Sequence, residues 1–98
     1  MQWDAAKLTG FDWDVGNQTK SADKHGVTCD EAEQAFLNAP LKVLFDPAHS
    51  EAEARFHAFA KSNGGRYLTI AFTIRGTLLR VISARPMGRK EREFYEKI

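Results

Sequence analysis

Apolar and polar residues alternate most regularly from Tyr67 to Ile74, where Leu68, Ile70, Phe72 and Ile74 share one side and Tyr67, Thr69 and Thr73 the other. A period of two marks a half-buried β-strand. Arg75-Gly76 makes a tight turn into Leu78–Ala84, a strand apolar on both faces and so central, closed by Pro86 or Gly88. Leu41–Phe45 reads as a strand ended by Asp46-Pro47, and Arg55–Lys61 as another, followed by the turn Ser62-Asn63-Gly64-Gly65. Between them, Ser50-x-x-Glu53 suits a brief helical turn, and Phe11–Trp13 a short strand.

Elsewhere the pattern is helical. Asp14 is a fair N-cap for a helix running to about Lys24, with Lys24 and His25 at its negative end and Gly26 as a left-handed stop. Thr28-Cys29-Asp30-Glu31 has the capping-box form, with Val27 and Ala32 placed for a hydrophobic staple. That helix runs through Phe36 to about Asn38-Ala39-Pro40, because proline disfavours a helical residue before it. A last helix covers Arg89–Lys97, with Met87, Glu91, Phe94 and Ile98 along one side. The order predicts an α+β fold in which two N-terminal helices and a C-terminal helix pack on an antiparallel sheet. Residues 1–10 form an N-terminal extension and residues 11–98 a single domain.

Composition narrows the setting. No apolar run approaches the ~20 residues of a membrane span, and the N-terminus lacks a signal-peptide core. A lone cysteine, Cys29, makes no internal disulfide, so a cytoplasmic location is expected. The net charge of +1 hides an asymmetry: residues 1–50 carry −4 and residues 51–98 carry +5. Seven of the ten basic residues in the second half are arginines, the side chain suited to bidentate phosphate and carboxylate contacts, so an anionic partner competes with a merely solvated surface. A DNA-binding module acting alone fits poorly, because strong non-specific DNA binding needs a more basic domain.

Three groups of residues bear chemistry. Cys29 sits in the first turn of a helix, where a thiol can be activated, but no histidine partner can be named and it drops out as a nucleophile. His49, Glu51, Glu53 and His57 are metal-ligand types, yet their spacing matches no tight ligand pair. The stretch FTIRGTLLRVISARPM puts Arg75 at a hairpin turn, Arg80 inside a strand and Arg85 at its end. Strict alternation sends Arg80 and Arg85 to opposite faces and groups Arg85 with Ser83 and Val81. No glycine-rich phosphate loop, nucleophile elbow or zinc-finger spacing is present.

Taken together, FDWDVGNQTKSADKHGV, DPAHSEAEAR, FTIRG and RVISARPMGRKEREFYE resemble the ordered motifs of BrnT-type toxins, over roughly residues 11–97. Ser21, where many relatives have asparagine, and the extension depart from the pattern. The resemblance implies a RelE-like fold and an endoribonuclease that needs no metal or other cofactor and inhibits translation. It also implies a BrnA-type ribbon-helix-helix antitoxin as partner, with operator DNA bound only through that antitoxin. In this picture Arg75 and Arg85 hold the scissile phosphate of RNA, and Arg55, Arg80 and Lys24 are further substrate contacts. His25 is the proton carrier, with Tyr95 as a weaker substitute. A catalytically degenerate chain that only binds an antitoxin or nucleic acid is the alternative.

Overall fold

In the computed structural model, which describes residues 5–97, five strands form one sheet. The elements are β1 (Gly10–Phe11), α1 (Lys20–His25), α2 (Cys29–Leu37), β2 (Lys42–Asp46), β3 (Arg55–Lys61), β4 (Tyr67–Arg75), β5 (Leu78–Pro86) and α3 (Arg89–Glu96). Short 3-10 turns cover Ala5–Lys7 and Pro47–His49. Residues 1–4 of the extension, and Ile98, expected on the apolar side of the last helix, lie outside the described residues. The strand order is β1-β5-β4-β3-β2. The expected all-antiparallel sheet is corrected to a mixed one, because β1 pairs parallel with the start of β5.

Beyond β1 the outer edge of β5 is covered piece by piece. The Asp12 N–H donates to the Leu79 carbonyl, Asn17 Nδ2 to the Val81 carbonyl at 2.9 Å, and the Ala84 N–H to Ser21 Oγ at 2.7 Å. An otherwise open strand edge is thereby satisfied, and Ser21 has a definite task. The same contacts explain why the first helix is shorter than expected. Asp14 does not cap it; its side chain accepts the Gly16 N–H and its carbonyl those of Asn17 and Gln18, so residues 14–18 form turns and helix begins at Lys20. Local side-chain bonds of this kind compete with helix. Gly26 ends α1 at φ +67°, in the left-handed region that glycine enters freely.

Thr28 caps α2 as its sequence indicates, accepting the Glu31 N–H at 3.2 Å. The reciprocal half of the box is missing, since Glu31 reaches Arg66 instead. Thr28→Ala is expected to cost about 1 kcal/mol, read as a lower urea midpoint with an unchanged slope. The Ser50-x-x-Glu53 turn is also corrected: the helical turn is Pro47–His49, capped by Asp46, and Ser50 follows it.

The core lies between one sheet face and α2. Leu68, Ile70 and Phe72 of β4 meet Phe56, Ala58 and Ala60 of β3 and Leu79, Val81 and Ala84 of β5, with Val27, Ala32 and Ala35 from the helical side. Phe72 stacks on Phe56 and takes the edge of Phe36. Helix α3 packs on the opposite face, where Phe94 meets Phe59 and Tyr95 meets Tyr67.

One irregularity sets which side chains share that second face. Ala71 pairs with Ser83 but Phe72 pairs with Val81, so Ile82 is an extra residue and β5 bulges there. Arg80 lies opposite Thr73 and Arg85 opposite Thr69. Arg80 and Arg85 therefore occupy the same face, correcting strict alternation, and Val81 turns into the core while Ser83 stays with Arg85.

Candidate functional site

The part of the second face left open by α3 is lined by cations from four elements. Arg55 comes from the start of β3, Arg75 from the end of β4, Arg80 from β5 and Lys20 from the first turn of α1. With Gly16, Asn17, Glu53 and Thr73 they surround a hollow of ≈ 190 Å³. The hairpin brings Arg75 and Arg80 close because Gly76, at φ +64°, allows a two-residue reversal.

Two of the arginines are held by carboxylates. Arg75 grips Glu53 through Nε and Nη2 at 3.2 and 3.0 Å. Arg80 grips Asp14 at 2.9 and 3.0 Å and lies 3.5 Å from Asp12. The guanidinium bonds hold the Glu53 and Asp14 carboxyls below their usual range, and both arginines are more firmly protonated than usual. Among the described residues, Lys20 and Arg55 line the hollow without an ion pair of their own. The result is a fixed cationic wall facing solvent, suited to an anion with several oxygens.

The other expected site residues are elsewhere. Lys24 and His25 are exposed at the C-terminus of α1, and the His25 carbonyl accepts Arg66 Nη2 at 2.9 Å. Arg66 and Arg75 bracket β4 and are about 30 Å apart at ~3.3 Å per residue. His25 therefore sits at the far end of the sheet from the hollow. Arg85, opposite Thr69, is about 20 Å along β4 from Arg75 on the same scale. It is clamped by Glu91 at 2.7 and 2.8 Å. Tyr95 is buried, its hydroxyl donating to the Pro40 carbonyl at 2.6 Å, and burial raises its pKa. Cys29 is no activated thiol: burial pushes its pKa up, Glu33 adds to this, and Sγ donates to the Gln18 carbonyl.

What the sequence reading missed is the role of Asp46. It joins His49 and His57, with His49 Nδ1 and His57 Nε2 at 2.9 and 3.0 Å from the same carboxylate oxygen. Desolvation raises the Asp46 pKa, but the two histidines outweigh it and leave the carboxyl below its usual range. The available signal was that Arg55 and His57 are two apart in a strand and so share a face. Among the described residues, no cluster of three or more His, Cys, Asp and Glu is arranged to hold a metal ion, and no helix is long and apolar enough to cross a membrane.

A family model described as the ribonuclease toxin BrnT of type II toxin–antitoxin systems matches residues 13–91. The chain belongs to the BrnT family. The 1.1 Å crystal structure of the Brucella abortus ribonuclease toxin BrnT is similar, with a TM-score of 0.64 and 26% identity over 84% of this chain and 100% of that one. No curated protein sequence matches. The BrnT match includes every cation of the hollow, both histidines on Asp46, and the Arg85–Glu91 pair. As a member of a type II toxin–antitoxin family, this BrnT chain has an antitoxin as partner.

Proposed function

We propose that this BrnT chain is an endoribonuclease with a RelE-like fold, formed by residues 11–98, that cleaves RNA in the cytoplasm without a metal and thereby blocks translation. Its antitoxin would be a BrnA-like ribbon-helix-helix protein, which also carries the pair to operator DNA. The observation that supports this reading best is the convergence of Lys20, Arg55, Arg75 and Arg80 on one hollow. When a ribose 2′-hydroxyl attacks the adjacent phosphorus, negative charge builds on the non-bridging oxygens. Cations held in advance around that position stabilise the transition state more than the ground state. Arginine supplies charge and hydrogen bonds but keeps its proton near neutral pH, so it serves as clamp and not as base. Glu53 and Asp14 hold the guanidiniums in place and give way to phosphate oxygens.

Purified protein incubated with single-stranded RNA is expected to cleave it equally well with and without EDTA. The degenerate-binder reading draws on the same ion pairs, since Glu53 and Asp14 already neutralise Arg75 and Arg80. RNA left intact at high protein concentration would decide for that second reading.

A further inference from the structure

We propose that His49 and His57, joined through Asp46, are the acid–base pair of this site; the proposal rests on the ribonuclease reading above. An ionised carboxylate only accepts hydrogen bonds, so His49 presents Nδ1–H and His57 presents Nε2–H to Asp46 Oδ2. Oδ1 of the same carboxylate accepts the Ala48 N–H at 3.1 Å. This fixes both rings and leaves His49 Nε2 and His57 Nδ1 as the working nitrogens. The Asp46 side chain is sheltered at 14% exposure, while those of His49 and His57 are 66% and 36% exposed. A sheltered carboxylate orienting a more exposed imidazole is the arrangement that prepares histidine for proton transfer.

The pair also lies beside the phosphate clamp. Arg55 lines the cationic hollow and, with His49 and Glu51, a second hollow of ≈ 320 Å³. His57 is two residues from Arg55 on the same face of β3, about 7 Å along the strand. A phosphate resting on Arg55 therefore has Arg75 and Arg80 on one side and the histidines on the other.

In the step assigned to them, the neutral imidazole takes the 2′-hydroxyl proton as O2′ bonds to phosphorus. The protonated imidazole gives its proton to O5′ as the P–O5′ bond breaks. The products are a 2′,3′-cyclic phosphate end and a 5′-hydroxyl end, and the two rings exchange protonation states before the next turnover. Asp46, Arg55 and Glu51 are the charged groups facing the pair, with Glu53 beyond Arg55. The singly protonated pair is the active form, so the rate falls on both sides of a maximum.

His49→Asn and His57→Gln each keep an N–H for Asp46 while removing the proton carrier. Each is expected to slow single-turnover RNA cleavage by ~10²-fold or more, with RNA binding and melting temperature unchanged. Wild-type protein is expected to show a bell-shaped pH–rate profile and 2′,3′-cyclic phosphate ends. A folded variant that cleaves at the wild-type rate overturns the pair and leaves the ribonuclease reading intact. Should either variant fail to fold, a wild-type pH–rate profile without a maximum overturns it equally. Wild-type protein that leaves RNA intact removes both readings together.

Discussion

Replacing Arg75 and Arg80 together by alanine is expected to slow RNA cleavage by about 10³-fold or more while the chain remains folded. Removing one preorganised donor from a developing oxyanion costs about 10²–10³ in rate. Two donors on one phosphate act as a unit and so fall short of the full product. Stability should change little. The Arg75–Glu53 pair is half-exposed, and Asp14 left by Arg80 faces solvent, where solvent screening leaves such pairs little effect on stability. The double lysine variant separates charge from geometry. It keeps two cations but loses the bidentate fork, so an intermediate rate is expected. Single-turnover kinetics beside a thermal melt checks all three proteins. An alanine pair that cleaves like wild type would move the phosphate clamp away from this hollow.

Glu91→Gln is expected to leave cleavage chemistry in place and lower stability by about 2 kcal/mol at neutral pH. Glu91 accepts both Arg85 nitrogens, the Gly88 N–H at 2.8 Å and Thr69 Oγ1 at 3.0 Å. The Arg85 bonds contribute most to holding its carboxyl at about 2, against an unperturbed 4.5. A pKa depressed by folding adds stability above the unfolded value and loses it as the pH falls through the folded one. The window is therefore pH 4.5 down to about 2. At about 1.4 kcal/mol per pH unit the full depression corresponds to ~3 kcal/mol. Solvent around the 40%-exposed Arg85 side chain brings that nearer ~2. Urea titrations across pH 2–7 should show wild type weakening within that window and E91Q staying flatter. Parallel curves would mean that the pair holds α3 on the sheet without contributing this acid sensitivity.

Glu91 also shows how far the sequence could be read. Its place on the inner side of the last helix was legible from helical spacing, and so were Phe94 and the cap at Thr28, because these depend on neighbours within a few residues. The span of β3 and the start of β4 were legible for the same reason. Tyr95 was not, since its burial depends on the Pro40 carbonyl reaching it from across the fold. The resemblance points to His25 as proton carrier at a corner able to face the arginine-bearing sheet, yet where that corner lies depends on Arg66, forty-one residues away, which holds the His25 carbonyl. The Asp46 bridge was hidden similarly: His49 and His57 meet only because Asp46 pairs with Arg55 across β2 and β3. The arginine cluster itself was partly legible. Arg55, Arg75 and Arg80 were expected near substrate, but Lys20 joins them only because the turn at residues 14–18 delays α1 and lays it along β5.

The bulge at Ile82 also makes the chain unequal in its tolerance of insertions and deletions. Losing one residue between Leu78 and Val81, or between Ser83 and Pro86, would carry a guanidinium to the α2 side of the sheet or a core aliphatic to the opposite face. Length changes at the bulge itself disturb the fewest pairings. Ile82 is thus the place in β5 where a residue can be lost without inverting a face.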